Sequence, residues 1–139
     1  MKKIFRYAFI LGAFISILYS CNPNDSNSTS SDPRNNFVGP WTCAETTTLN
    51  GSPTFQVTIS LDPSNSSQIL LANFYGLGVN NKVYGVVANT NVTIPKQSVG
   101  GFTVNSGSGN ITNNNTKINW TYVVNDGTDN DNCTAVYTK

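Results

Sequence analysis

The sequence contains no histidine, and Asp, Glu, Lys and Arg together make up 11% of its 139 residues. Without histidine the chain has no Ser–His or Cys–His nucleophile and no histidine-bound metal ion. Glu45 is its single glutamate, and the aspartates fall in a polar N-terminal stretch or in predicted turns, so no facing carboxyl pair for glycoside hydrolysis is predicted. Gly107-Ser108-Gly109 lies in a strand-like segment with no helix after it, which argues against a phosphate-binding loop. We therefore expect neither an enzyme nor a cofactor.

Positive charge is also scarce. Three of the eight basic residues, Lys2, Lys3 and Arg6, lie at the start of the chain, which leaves five basic residues against seven acidic ones in the remainder. No stripe of lysine and arginine is available to neutralise a phosphate backbone. We therefore expect no nucleic-acid partner.

The N-terminus joins those basic residues to an apolar stretch of 13 residues, 7–19. A helix needs about 20 apolar residues to span a bilayer, so this stretch is typical of an export signal rather than a transmembrane helix. It ends in Leu18-Tyr19-Ser20-Cys21, which resembles the lipobox of bacterial lipoprotein signals. The resemblance implies a diacylglycerol thioether on the Cys21 sulfur and an acylated amino group, which together anchor a protein to a membrane surface. An ordinary secretory signal and an uncleaved anchor are the alternatives.

Lipidation of Cys21 would leave Cys43 and Cys133 as the remaining cysteines. In an oxidising cell envelope two such cysteines can pair, so we predict a disulfide between them. Because they lie 90 positions apart, the bridge would contribute about 4 to 5 kcal/mol in the chain-entropy model. Two free, buried thiols are the alternative. Two cysteines without histidine do not complete a four-ligand shell, so no metal site is predicted.

Residues 22–36 carry no aliphatic or aromatic side chain, and this composition predicts a flexible tether with a span of roughly 20 Å. Its Asn-rich start is similar to surface-export signals of lipoproteins in Bacteroidetes-type bacteria. That resemblance implies a lipid-anchored protein of the bacterial cell envelope, at the outer membrane. We therefore divide the chain into a signal peptide (1–20), Cys21 with its tether (21–36) and one folded domain (37–139).

The folded region alternates apolar and polar residues with period two, most clearly in Thr54–Leu61, which predicts strands with one face in water. Clusters of Asn, Gly, Pro and Asp between the alternating runs favour chain reversals. Eight strands are predicted, at 41–48, 54–61, 68–74, 82–89, 91–95, 101–111, 117–125 and 132–138. They predict an all-β antiparallel meander that forms a small barrel or a nearly closed sandwich.

Gly39-Pro40-Trp41 opens the first predicted strand and resembles the Gly-x-Trp signature of lipocalins and avidin-like proteins. In those families the Trp closes one barrel end, which implies a structural role for Gly39 and Trp41. Lipocalins pack a late arginine across this Trp, and here Lys139 is the candidate substitute. The alternative is that Trp41 is an ordinary core residue.

A ligand site inside the fold would use a glutamate and several aromatic residues: Glu45, Tyr84, Trp120 and Tyr122, with Tyr75 and Phe102 nearby. Alternation along the first strand sends Glu45 to the same side as Trp41 and Cys43, where its carboxyl would be a polar group in an apolar pocket. The alternative is a filled interior, because eight short strands usually enclose side chains alone.

Asp126, Asp129 and Asp131 form the densest acidic stretch, and oxygen-rich loops can bind calcium. Their spacing lacks the Asp-x-Asp-x-Asp-Gly order and the downstream glutamate of a calcium loop, so we predict a hairpin turn without a metal.

Three functions are open at this point. The chain could be a non-catalytic binding or structural module that meets another envelope protein, a calycin-like carrier of a small apolar ligand, or an inhibitor of a secreted hydrolase. The inhibitor would need a rigid exposed loop, for which 75–79 is the apolar candidate. We favour the first function, because no residue pattern defines a ligand.

Overall fold

The computed structural model describes residues 31–139, which form nine β-strands and two short 3₁₀ helices. The strands are β1 (Gly39–Thr47), β2 (Thr54–Leu61), β3 (Gln68–Ala72), β4 (Lys82–Ala88), β5 (Asn91–Ile94), β6 (Gln97–Val99), β7 (Phe102–Thr112), β8 (Lys117–Asn125) and β9 (Asn130–Thr138). The helices are Pro33–Asn36 and Phe74–Gly76. The predicted signal peptide, Cys21 and most of the predicted tether lie outside the described residues. None of the helices within residues 31–139 has the length and apolar character to span a membrane.

The strands form one antiparallel sheet that closes on itself. Consecutive strands pair from β1 to β5 and from β6 to β9, β1 pairs with β9, and β5 pairs with β7. Eight strands therefore make the barrel wall, and β6 is an additional short strand beside the start of β7. This architecture confirms the predicted all-β meander and decides between the two forms in favour of the barrel.

The wall contains one interruption. β5 and β6 pair with consecutive parts of β7, and Pro95 and Lys96 separate them. Because proline has no N–H for the sheet ladder, pairing stops there and resumes at Gln97. The sequence predicts β5 but not β6, since three residues are too few to show alternation.

Alternation along the strands decides which side chains fill the barrel. β1 buries Trp41, Cys43, Glu45 and Thr47 and exposes the residues between them. The largest fully buried side chains are aromatic: Trp41, Trp120, Tyr137, Phe37 and Phe74. The predicted strand face of β1 is therefore the observed one, and it points into an aromatic core.

The chain enters the barrel through the helix Pro33–Asn36. The Oδ1 atom of Asp32 accepts from the Arg34 backbone N–H at 3.0 Å, and the two side chains form an ion pair at 2.6 Å. Arg34 also donates from Nη1 to the Asn65 carbonyl at 2.9 Å. These contacts fix the helix to the turn after β2. Composition predicts that the folded domain starts at Phe37, whereas the folded structure begins before that residue.

Candidate functional site

Trp41 closes the barrel at the end where the chain enters. Its side chain is 1% exposed, and its indole Nε1 donates to the Phe37 carbonyl at 2.7 Å. Lys139 Nζ lies 4.4 Å from the centre of the Trp41 ring and donates to the Val38 carbonyl at 3.2 Å. Gly39 has φ +125°, a backbone conformation that favours glycine. We call this region, with Phe37, Trp41 and Lys139, the closed end.

The predicted ligand residues do not all lie on the same side of the barrel wall. Glu45, Trp120 and Tyr122 are buried and face the interior. Tyr84 lies on the outer face of β4, between the buried Val83 and Gly85. The prediction of Tyr84 as a ligand residue is therefore wrong, because alternation along β4 turns its side chain away from the interior.

Glu45 accepts a hydrogen bond from the Tyr122 hydroxyl inside the barrel. Burial raises the pKa of Glu45, the Tyr122 hydrogen bond opposes this rise, and the charge of Asp131 adds to it. Two other buried polar atoms, Trp120 Nε1 and Tyr137 Oη, have no hydrogen-bond partner among the described residues. Glu45 is 3% exposed, so its carboxyl is buried against Tyr122 rather than open to a substrate.

The barrel interior is filled by rings. Phe74, from the second 3₁₀ helix, packs between Trp120 and Tyr122, with ring centroids 6.3 Å and 4.5 Å away. Trp120 also packs on Tyr137 at 5.5 Å. A Cβ on Gly109 would lie 2.6 Å from Trp120 ring atoms, so glycine at this position makes the room that the indole occupies. This packing matches the alternative of a filled interior.

Cys43 and Cys133 are free, buried thiols, and the predicted disulfide is absent from the described residues. Cys43 lies opposite Tyr137, whereas Cys133 lies opposite Thr47. This register offsets the cysteines by four residues, about 13 Å along the strands, while disulfide-linked Cα atoms lie within about 7 Å. The prediction failed because the number of cysteines does not define their register. Burial raises the pKa of Cys43 to about 12 and also raises that of Cys133, so both thiols stay protonated and unreactive.

Asp131 joins three segments at the opposite end of the barrel. Its Oδ1 accepts from the Thr48 backbone N–H at 2.8 Å, the Thr48 hydroxyl at 2.9 Å and the Leu49 N–H at 3.0 Å. Its Oδ2 accepts from the Tyr75 hydroxyl at 2.6 Å and from Asn50 Nδ2 at 3.0 Å. Burial disfavours the charged form, but the hydrogen bonds outweigh it and lower the pKa of Asp131. The carboxylate thus fixes the β1–β2 loop and the second 3₁₀ helix to β9.

A half-enclosed pocket of about 260 Å³ opens beside Asp131. Apolar and acidic side chains line it together: Leu49, Tyr75, Phe102 and Val124 with Asp126, Asp129 and Asp131. The Tyr75 and Phe102 rings meet edge to face, with centroids 5.9 Å apart. We call this site the mouth pocket. It unites two of the predicted aromatic residues, but at the barrel end and not around Glu45.

The acidic stretch divides between two roles. Asp126 accepts from the backbone N–H groups of Thr128 at 2.8 Å and Asp129 at 2.9 Å, which closes the β8–β9 turn. Asp131 faces inward as a continuation of the alternation of Cys133 and Ala135. Its role was missed because the predicted strand begins one residue later, although that alternation carries the signal. No three His, Cys, Asp or Glu side chains in residues 31–139 are grouped to bind a metal ion.

A larger groove of about 560 Å³ lies on the outer face of β1, β9, β8 and β7. Thr46, Thr134, Thr121 and Ser108 lie side by side across these strands and face outward. The groove is shallow, and its outward side chains are neutral and non-aromatic. The groove therefore has fewer charged and aromatic side chains with which to recognise a specific ligand than the mouth pocket has.

No protein-family model matches the chain, and no curated protein matches it significantly. The fold is similar to that of a redesigned β-barrel, with a TM-score of 0.52, 12% sequence identity, and coverage of 81% of this chain and 98% of that chain. A Bacteroides fragilis protein provisionally named an outer membrane protein aligns with a TM-score of 0.45 and 14% identity over 78% of this chain. The alignment spans 53% of that protein, about half its length. At these identities the likeness shows the fold alone, and the first comparison identifies that fold as a small β-barrel.

Proposed function

We propose that the chain is a lipid-anchored protein of the bacterial envelope, at the outer membrane, and acts as a non-catalytic binding module through its mouth pocket. The observation that carries the proposal is the position of that pocket, at the barrel end opposite the chain entry. β1 starts beside the entry helix Pro33–Asn36 and ends at Thr47, next to Asp131. A lipid on Cys21 would therefore attach the barrel to the membrane through its closed end, the end opposite the mouth pocket.

The chemistry of the buried groups favours binding over catalysis. Glu45 is enclosed and bonded to Tyr122, while Asp131 accepts hydrogen bonds on both carboxyl oxygens. The raised pKa values of Cys43 and Cys133 leave no thiolate nucleophile at neutral pH in the described region. These groups stabilise the barrel and leave the mouth pocket as the place where a ligand meets several side chains.

The two other functions receive less support from the geometry. An apolar carrier needs an internal cavity, but Phe74, Trp120 and Tyr137 occupy the interior. An inhibitor loop at 75–79 would have to project from the barrel. Tyr75 is instead hydrogen-bonded to Asp131. Val79, at 68%, is the one strongly exposed large hydrophobic residue of this loop.

The anchor is tested by replacing Cys21 with alanine in the producing bacterium. Cys21→Ala should abolish labelling by a palmitate analogue and move the protein from the membrane fraction to the soluble fraction. Ser20→Ala is the matched control, because it keeps a small residue before the cysteine and should retain labelling. Unchanged labelling of the Cys21→Ala variant would overturn the lipoprotein proposal.

A further inference from the structure

We infer that the mouth pocket binds an organic cation, an ammonium or guanidinium group carried on a short alkyl stem. This inference rests on the proposed binding function and names its ligand class. The volume of about 260 Å³ lies just below the range of pockets for drug-sized ligands, roughly 300 to 1,000 Å³. The pocket therefore suits a single charged head with a few methylene groups.

The two kinds of lining side chain match the two parts of such a ligand. Leu49 is 52% exposed, and it lines the pocket together with the rings of Tyr75 and Phe102. An alkyl stem gains by covering these apolar groups, and the faces of aromatic rings attract cations. The same pocket is lined by the exposed carboxylates of Asp126 and Asp129, which attract the charged head.

The negative charge of the pocket is not neutralised within the described part of the chain. Among residues 31–139 the ion pair is that of Arg34 with Asp32, and it lies on the segment where the chain enters the barrel, away from the pocket. Asp131 receives its hydrogen bonds from uncharged donors, so its charge also remains. A cation that enters the mouth pocket thus meets the exposed carboxylates of Asp126 and Asp129, and the charge of the buried Asp131 adds to their attraction.

A bare metal ion suits the pocket less well than an organic cation. Both oxygens of Asp131 already accept hydrogen bonds, and Oδ1 of Asp126 accepts two from its own turn. The carboxylates therefore surround a space rather than converge on one point, and among residues 31–139 they form no metal-binding group. A larger organic cation is attracted by the charge of the carboxylates and does not have to displace the hydrogen bonds that they accept.

The test uses the mature, lipidated protein in a non-ionic detergent, observed by ¹H–¹⁵N correlation spectra. Three probes of similar size are added separately: n-butylammonium, n-butanol and butyrate. The amide signals of Thr48, Leu49 and Asn50 should shift with butylammonium and barely respond to the other two. Raised salt should weaken the binding, because exposed charges are screened.

Two matched variants separate local charge from net charge. Asp129→Asn removes a carboxylate that accepts no hydrogen bond from the described residues, and it should weaken butylammonium binding about two- to fivefold. Asp62→Asn removes the same charge from the turn after β2, beside Asn65, and should leave the affinity unchanged. Equal weakening by both variants would overturn the assignment of the cation to the mouth pocket.

The remaining outcomes distinguish this inference from the proposed function. Equal shifts with all three probes would overturn the cation inference and leave a binding pocket of apolar preference. Displacement of butylammonium by calcium chloride, but not by sodium chloride at the same ionic strength, would assign the site to a metal ion and overturn the inference as well. No shift with any probe would overturn binding at the mouth pocket itself, while the membrane anchor would be judged separately by palmitate labelling.

A final comparison identifies the source of the cation. Nα-acetyl-lysine-N-methylamide carries the same ammonium on a peptide backbone, whereas cadaverine is a free diamine. Tighter binding of the lysine derivative would assign the ligand to a side chain of a partner protein. Tighter binding of cadaverine would assign it to a small free amine, and failure of both to bind would contradict the inference.

Discussion

The side-chain amide of Gln97 pairs with the backbone of Tyr84 as a neighbouring strand would. Its Oε1 accepts from the Tyr84 N–H at 2.9 Å, and its Nε2 donates to the Tyr84 carbonyl at 2.8 Å. β4 pairs with β5 through residues 86–88, so the first half of β4 has no strand partner on this side. Gln97, just after the interruption at Pro95, satisfies the groups that the broken ladder leaves free.

Gln97→Ala should lower the free energy of unfolding by about 1 to 3 kcal/mol, since the half-buried N–H and carbonyl of Tyr84 lose their partners. Gln97→Glu should also be destabilising, because a carboxylate can accept from the N–H but cannot donate to the carbonyl. Urea unfolding measures both effects. Ser98→Ala, at an exposed neighbouring position, is the control and should have the midpoint of the natural chain. An unchanged midpoint in Gln97→Ala would show that the amide contributes nothing to the closure.

Local alternation made most of this fold predictable. Thr54–Leu61 is a strand with the predicted bounds, and the inward direction of Glu45 follows from the period of β1. Contacts that depend on register across distant segments could not be predicted in the same way. The offset of Cys43 from Cys133 is one of them. The mouth pocket is another, since four separate parts of the chain must meet to form it.

Trp41→Ala should remove about 3 to 5 kcal/mol of stability, because a large buried ring leaves a cavity at the closed end. That loss is comparable with the whole stability of a small domain. Lys139→Ala should cost about 1 kcal/mol or less, since it removes the cation above the ring and keeps the ring itself. Thermal melts of the two variants give this order. A shift of a degree or two for Trp41→Ala would contradict its role as a core anchor.

Mature protein purified without reductant should contain two alkylatable thiols after denaturation, at Cys43 and Cys133. The folded protein should resist the same reagent, because both thiols are buried and protonated. Mass spectrometry of samples alkylated before and after unfolding makes the measurement, and a sample treated with reductant first is the control. A linked peptide that contains both cysteines would contradict the observed register of β1 and β9.

Asp131→Asn should destabilise the barrel at neutral pH by about 1 to 3 kcal/mol, because an amide has one acceptor oxygen for the donors that the carboxylate satisfies. The natural carboxyl has a lowered pKa in the folded state. Its contribution is therefore present above its unfolded pKa of about 3.9 and is lost as the pH falls through the folded value. Urea unfolding at several pH values should show this acid-side loss in the natural chain and a smaller one in the variant. Equal slopes in both proteins would contradict the assignment.

The contribution of Glu45 to stability should change with pH in the opposite direction from that of Asp131. Because burial raises its pKa in the folded state, the folded chain binds this proton more tightly than the unfolded chain does. Stability from this group is thus complete below its unfolded pKa of about 4.3 and declines as the pH rises through the folded value.

Glu45→Gln removes this decline and keeps an oxygen that can accept from the Tyr122 hydroxyl. The variant should therefore be more stable than the natural chain at neutral pH and nearly equal to it near pH 4, where the natural carboxyl is largely protonated when folded. Thr46→Ala, at the exposed neighbouring position of β1, is the control and should keep the pH dependence of the natural chain. A lower stability of Glu45→Gln at neutral pH would mean that the charged carboxylate, and not its protonated form, stabilises the interior.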